Sequence, residues 1–155
     1  MPNILLKKGT SFVGRKHESA EIKRLLTSTR LLTLTGAGGA GKTRLALQIG
    51  ADVAESYANG VWFVELAPLA DSTLVPQVVA TTLGIREQSG RSLLASLEAH
   101  LRSKNLLLIL DNCEHVIDAC ARLAESLLRA CPNLSILATS REALGVAGEI
   151  TSLVP

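Results

Sequence analysis

A glycine-rich stretch between Gly36 and Thr43 carries the clearest chemical signal in the sequence. Its residues, Gly-Ala-Gly-Gly-Ala-Gly-Lys-Thr, fit the pattern G-x-x-x-x-G-K-[ST], in which backbone N–H groups surround a phosphate. In that pattern Lys42 reaches the β- and γ-phosphates, and the Thr43 hydroxyl faces Mg²⁺. The predicted phosphate-binding residues are Gly36, Gly38, Gly39, Ala40, Gly41, Lys42, Thr43 and Arg44.

The same glycines also fit a second pattern. The first six residues match G-x-G-x-x-G, the dinucleotide-binding fingerprint, and Glu65 lies near the expected position of its ribose-binding acid. That interpretation predicts a nicotinamide-dependent oxidoreductase. The phosphate-loop interpretation explains more of the sequence, because the dinucleotide fingerprint makes no use of Lys42 and Thr43. A glycine turn that binds nothing is the remaining alternative.

Two further polar side chains follow apolar segments. The run 106–110 ends at Asp111, a candidate ligand of the Mg²⁺ shell, although an Asp after a strand is often a turn or capping residue. The run 134–138 is followed by Arg141, whose guanidinium is suited to a γ-phosphate; a surface arginine is the alternative. Ligands bind at the carboxyl ends of parallel strands, so both residues would lie beside the glycine loop.

Apolar strands and amphipathic helices alternate along the chain, which predicts right-handed βαβ units, a parallel sheet and helices on its faces. The apolar runs predict strands at 31–35, 61–66, 106–110, 134–138 and 150–154. Helical periodicity predicts helices at 18–27, from 45 to 57, twice between 71 and 103, and at 116–130.

Composition excludes several classes of protein. The 155 residues are 47% hydrophobic and 19% charged, which favours a single folded domain over a disordered chain. The longest apolar run has five residues, against about 20 for a membrane span, and the first residues lack a signal-peptide core. Three cysteines without a CxxC pair predict neither a disulfide framework nor a zinc site. Reduced thiols favour a cytoplasmic location.

The charge is unevenly distributed. Residues 1–30 hold seven Lys or Arg against two acids, whereas the whole chain has a net charge of only +2. A basic arm is one signal of nucleic-acid binding, and a solvated helix face with a free end is the alternative. Because Phe12 is the only aromatic residue among these charges, we favour the solvated face and expect no direct nucleic-acid contact.

Taken together, four segments resemble the nucleotide-binding domain of STAND ATPases, which are related to NB-ARC domains. The nearest likeness is to the bacterial branch found in LuxR-type and cyclase-fused transcriptional regulators. The resemblance implies an α/β P-loop NTPase fold with a five-stranded parallel sheet in the order 5-1-4-3-2, operating as an ADP/ATP-controlled switch. It extends over most of the chain and rests on residues 12–15, 35–43, 107–115 and 138–142.

The resemblance also implies roles for individual residues. Val13, Gly14 and Arg15 would lie near the adenine and ribose. Lys42, Thr43 and Asp111 would serve the phosphates and Mg²⁺, with Arg141 sensing the γ-phosphate. It divides the chain into an arm at 1–11 and a nucleotide-binding domain at 12–155, with further subdomains and signalling partners expected beyond it.

One position departs from the family pattern and bears on hydrolysis. Many relatives place an acidic residue directly after the Mg²⁺ aspartate, where this chain has Asn112. Glu114 is the candidate substitute for activating water, with a helix cap as its alternative. Cys113, between them, is either a reactive or a packed thiol. We therefore expect slow hydrolysis of ATP, or alternatively a non-hydrolysing interaction module that keeps its nucleotide.

Overall fold

Five apolar segments lie side by side as a parallel sheet in the computed structural model, which describes residues 16–155. All the strand pairs are parallel, and the order is β2-β3-β4-β1-β5, the predicted order seen from the other edge. The predicted fold class, an α/β P-loop NTPase fold, is confirmed. The strands are β1 (Leu31–Thr35), β2 (Val61–Glu65), β3 (Leu106–Asp111), β4 (Leu134–Ser140) and β5 (Ile150–Leu153).

Helices cover both faces of this sheet, because its strands are apolar on both sides. One face packs against the first two helices through Ile22 and Leu45, and the other packs against the remaining three through Val79 and Leu97. The helices are α1 (Lys16–Leu26), α2 (Lys42–Val53), α3 (Val75–Leu83), α4 (Leu93–Leu101) and α5 (Ile117–Ala130).

Strand β3 shows why the run 106–110 lacks polar alternation. Leu107 and Ile109 point to the α1/α2 face, whereas Leu108 and Leu110 point to the α3–α5 face, and all four are fully buried. Continuing the alternation, Asp111 points to the α1/α2 face. The strand therefore delivers its terminal carboxylate to the side where α2 begins.

Helix α5 differs from the sequence prediction at its start and in the place of Cys131. A 3₁₀ turn at Glu114–Val116 precedes the α-helix, which begins at Ile117. The spacing of Cys120 and Cys131 with the apolar residues of this segment predicts that both are core residues of one helix. Cys131 instead follows the last helical residue in an extended conformation, and it is buried there. Pro132 comes next and has no backbone N–H, which suits a chain that has left the helix.

Some sequence predictions fall on residues outside the described part of the chain. These are the N-terminal arm at 1–11 and the three residues expected near the adenine and ribose, which are Val13, Gly14 and Arg15. Within residues 16–155, no helix combines the length and apolar character needed to cross a membrane.

Candidate functional site

The glycine loop lies between the end of β1 and the start of α2, as predicted. Gly36 has φ 148°, and a Cβ there would lie 2.6 Å from the carbonyl oxygen of Val154, so only glycine fits. Gly41 precedes the first helical residue with φ 85°, and no side chain caps α2. The first N–H groups of α2 are thus left without a side-chain acceptor at the point where a phosphate would bind.

Lys42 lies inside this loop with only 7% of its surface exposed. Its Nζ donates to the carbonyl oxygens of Gly36 at 2.8 Å and Ala37 at 2.9 Å. The ammonium group is therefore held over the concave side of the loop by neutral acceptors. A phosphate oxygen close to Nζ could replace these carbonyls as the acceptor, and its negative charge would make the hydrogen bond from Lys42 stronger.

Thr43 and Asp111 are 68 residues apart in the chain and meet at the site. The Thr43 hydroxyl lies 2.9 Å from Oδ1 and 3.0 Å from Oδ2 of the carboxylate. A hydroxyl and a carboxylate are the hard oxygen donors that Mg²⁺ prefers. The structure thus brings the two predicted metal ligands together.

Asp111 is nearly fully buried, and burial raises the pKa of its carboxyl group. Hydrogen bonds from the hydroxyls of Thr139 and Thr43 oppose this rise in pKa, and the nearby charges of Glu114 and Glu65 add to it. The carboxylate is therefore buried against neutral donors and acidic neighbours, a setting that a divalent cation would stabilise.

A metal at this position would need further ligands from outside the protein. Within residues 16–155, no group of three or more His, Cys, Asp or Glu side chains is arranged to hold a metal ion. Mg²⁺ commonly binds through one or two protein oxygens together with phosphate oxygens and water. The Thr43–Asp111 pair fits that mode of binding.

A cavity of about 530 Å³ opens beside the loop at the carboxyl end of the sheet. Arg141 enters it from the residue after β4, and its Nη2 lies 3.2 Å from where a Cβ on Gly38 would stand. The guanidinium therefore lies against the loop, although Arg141 as a residue is exposed. The lining residues are Gly38, Gly39, Gly41, Lys42, Thr43, Arg44, Asn112, Glu114 and Arg141.

Glu114 enters the cavity from the 3₁₀ turn after β3. Its Oε1 is buried and has no hydrogen-bond partner among the residues that the structure describes. Helix α5 begins without any side-chain cap, so the helix-cap alternative for Glu114 is wrong. A buried, unpaired carboxylate oxygen in a polar cavity is suited to a water molecule or ligand.

Two features of the site were not predicted from the sequence. Thr139 is fully buried, and its hydroxyl donates to Oδ1 of Asp111 at 2.7 Å. Asn112 has φ 64°, and it is the only non-glycine residue with a positive φ in the described range. A threonine at the end of an otherwise apolar strand was the available signal for Thr139. For the left-handed backbone at Asn112, the only signal in the sequence was that asparagine adopts this conformation more readily than most residues.

Cys113 is a packed thiol, which settles the alternative left by the sequence. The side chain is fully buried, and its Sγ lies 3.4 Å from the carbonyl oxygen of Leu110. A hydrogen bond with the Cys120 thiol, together with burial, raises the pKa of Cys113. A thiol that is buried and protonated is a poor nucleophile, so the reactive alternative is wrong.

The chain matches a known protein family. A family model described as "AAA domain" matches residues 24–147, which include the glycine loop, both predicted Mg²⁺ ligands, Glu114 and Arg141. The matched range covers strands β1 to β4.

Among curated proteins, two relatives from Mycobacterium tuberculosis are close in sequence. An uncharacterized protein is 49% identical over 146 residues, which cover 94% of this chain and 37% of that protein. A protein named as a putative HTH-type transcriptional regulator is 50% identical over 134 residues, which cover 86% of this chain and 15% of that protein. The chain thus spans well under half the length of either relative.

Solved structures share the fold at low sequence identity. Cdc6p from Pyrobaculum aerophilum superposes with a TM-score of 0.67 at 18% identity, covering 92% of this chain and 46% of that one. A STAND protein with a tetratricopeptide repeat sensor from Pyrococcus horikoshii gives 0.60 at 18% identity, covering 94% and 23%. Both likenesses concern the fold alone.

Proposed function

The chain belongs to the AAA domain family of P-loop ATPases, and from this premise we propose that it binds ATP and ADP with Mg²⁺ beside the glycine loop. The observation that carries the proposal is the contact of the Thr43 hydroxyl with the Asp111 carboxylate at 2.9 Å, next to Lys42. The binding would control a switch in a signal-transduction ATPase or transcriptional regulator.

The loop and Lys42 would bind the phosphates. Backbone N–H groups of the glycine loop and the first turn of α2 would donate to phosphate oxygens. Lys42 would exchange its bonds to the carbonyls of Gly36 and Ala37 for bonds to the β- and γ-phosphates. Thr43 and Asp111 would hold Mg²⁺, which when bound neutralises charge developing on the phosphate oxygens.

Arg141 would distinguish ATP from ADP. Its guanidinium lies against Gly38 and lines the cavity together with the loop residues that would hold the phosphates. A planar guanidinium can donate two parallel hydrogen bonds to a terminal phosphate, and ADP offers no such group at that position.

Glu114 would activate the water that attacks the γ-phosphate. Its orphaned Oε1 is an acceptor in the cavity, and the residue next to Asp111 is an amide that cannot take up a proton. Because Glu114 is two residues further along than the usual acid, we expect turnover far below the 1–10³ s⁻¹ typical of enzymes.

Asn112 also favours a second candidate function, a module that binds nucleotide without hydrolysing it. With an amide after Asp111, the bound nucleotide would then stabilise an interaction surface for other domains or proteins. Single-turnover hydrolysis separates the two candidates: phosphate release from bound ATP supports the ATPase, and ATP recovered intact after hours supports the module.

The relatives support a regulatory role. The M. tuberculosis protein named as a putative HTH-type transcriptional regulator matches 86% of this chain, and a STAND protein shares the fold. We infer that the domain works within a larger signalling protein, as the bacterial LuxR-type or cyclase-fused regulators of the resembled family do.

Displacement of a fluorescent ADP derivative tests the proposed ligand class. ATP and ADP should displace the probe and NADH should not, because Lys42 and Thr43 have no role in dinucleotide binding. Displacement by NADH at least as effective as displacement by ATP would favour the oxidoreductase interpretation and contradict the proposal.

A further inference from the structure

Thr139 links the ends of two neighbouring strands at the candidate metal site. Its hydroxyl oxygen lies 2.7 Å from Oδ1 of Asp111 and 2.9 Å from the backbone nitrogen of Asn112. Its carbonyl oxygen accepts from the N–H of Cys113 at 2.9 Å. One buried residue on β4 thus contacts three consecutive residues at the end of β3.

The direction of these hydrogen bonds is fixed. The N–H of Asn112 can only donate, so the Thr139 hydroxyl accepts from it and donates its single proton to the carboxylate. The left-handed backbone at Asn112, with φ 64°, turns the chain after that N–H, and the next N–H, that of Cys113, donates to the Thr139 carbonyl. The Thr139 proton is therefore committed to Oδ1 of Asp111.

The carboxylate is held asymmetrically as a result. Oδ1 has the full bond from Thr139, whereas Thr43 shares one proton between Oδ1 at 2.9 Å and Oδ2 at 3.0 Å. Thr139 approaches from β4 and Thr43 from α2. Fixing Oδ1 fixes the plane of the carboxylate and the direction in which Oδ2 faces.

We propose that Thr139 is a positioning residue that holds the Asp111 carboxylate in the orientation in which it binds, together with Thr43, the Mg²⁺ of a bound nucleotide. This inference rests on the proposed function. Thr139 is fully buried and does not line the cavity, so it acts through Asp111. Removing a partner that orients a metal ligand commonly weakens metal affinity roughly 10- to 100-fold.

Thr33 provides a matched control in the same sheet. It is also fully buried, and its hydroxyl also donates to a carboxylate, that of Glu149, at 2.6 Å. Replacing either threonine by valine removes one buried hydroxyl that donates to a carboxylate. Only the Thr139 substitution removes a hydrogen bond from Asp111.

The experiment compares the affinity for a non-hydrolysable ATP analogue in MgCl₂ with the affinity in EDTA, by calorimetry. We expect Thr139→Val to lower this ratio of affinities roughly 10- to 100-fold while the affinity in EDTA stays near that of the unmodified protein. Thr139→Ser, which keeps the hydroxyl, should restore the ratio. Thr33→Val should leave the ratio unchanged, even where it lowers stability.

Several outcomes would overturn the inference. A folded Thr139→Val protein with an unchanged ratio excludes the positioning role, and so does an equal loss of the ratio in Thr33→Val. Should Thr139→Val fail to fold, Thr139→Ala is measured instead; failure of both to fold would show a structural role and also contradict the inference. Absence of nucleotide binding by the unmodified protein is a different result, which contradicts the proposed function itself.

Discussion

Asp111 is a charged side chain that the fold buries before any ligand arrives. Its carboxyl accepts hydrogen bonds from the hydroxyls of Thr139 and Thr43, yet burial is the larger effect and raises its pKa. Because the folded-state pKa lies above the unfolded value, this group favours folding while protonated. That contribution is lost as the pH rises through the folded-state pKa. Affinity for the proposed Mg²⁺ would thus be gained at the expense of stability.

Asp111→Asn should therefore stabilise the nucleotide-free protein at neutral pH and weaken its binding of Mg·ATP. We expect the melting temperature at pH 7.5 to rise by roughly 2–4 °C, the shift that about 1 kcal/mol produces in a domain of this size. Thermal denaturation at pH 7.5 and pH 4 measures the effect, and the advantage should shrink at pH 4 as the native carboxyl becomes protonated. A lower melting temperature for Asp111→Asn at pH 7.5 would contradict this account of the buried charge.

Glu114 is the residue proposed to activate the water that attacks the γ-phosphate. If the protein hydrolyses ATP, Glu114→Gln should abolish single-turnover phosphate release, because an amide cannot accept the proton of the attacking water. Nucleotide affinity should change little, since Glu114 is expected to contact water. Glu125→Gln, at an exposed surface pair with Arg129, is the control. Phosphate release by Glu114→Gln at the unmodified rate would remove Glu114 from the mechanism.

The segment 141–149 lies between β4 and β5 and carries Arg141. It also contacts β1, the strand that leads into the glycine loop. Further along this segment, the Glu149 carboxylate accepts from the N–H groups of Leu144 at 2.8 Å and Gly145 at 3.0 Å. The same carboxylate accepts from the Thr33 hydroxyl on β1. The residues that follow Arg141 are therefore anchored to the sheet.

Arg141→Ala should alter the preference between ATP and ADP. Binding of a non-hydrolysable ATP analogue should weaken by about 1.5–3 kcal/mol, the scale of a hydrogen bond to a charged group, while ADP binding stays nearly constant. Calorimetric titration of both nucleotides gives the ratio. Arg129→Ala, on the exposed side of α5, is the control and should change neither affinity. Equal losses for both nucleotides, together with a lower melting temperature, would indicate a structural arginine.

The strands of the sheet could be predicted from the sequence because their signals are local, whereas the order of the strands was implied by the family resemblance. The apolar run 106–110 and the glycine loop each indicate their element within a few neighbouring residues. Strand β4 was predicted to end at Ala138, but it continues to Ser140, because Thr139 and Ser140 pair with the end of β1. The local sequence pattern does not show which distant residues pair between strands.

The polar details of the site depend on the same long-range pairing. Thr139 meets Asp111 across 28 residues, and only the register of β3 on β4 brings them together. The orphaned oxygen of Glu114 likewise depends on how the turn after β3 packs. Sequence patterns therefore predicted several of the residues that the fold brings together, but Thr139 and the hydrogen-bond partners at the site were found only in the tertiary structure.

Calorimetry of ADP and Mg·ATP binding to Lys42→Ala tests whether the glycine loop and Lys42 bind the phosphates of an adenine nucleotide. We expect micromolar or weaker binding by the unmodified protein and a loss of affinity of at least about tenfold in Lys42→Ala, because the phosphates lose a buried ammonium partner. Lys104→Ala, at the opposite end of the sheet before β3, should bind as the unmodified protein does. Equal affinities for the unmodified protein and Lys42→Ala would contradict the proposal that Lys42 binds the phosphates.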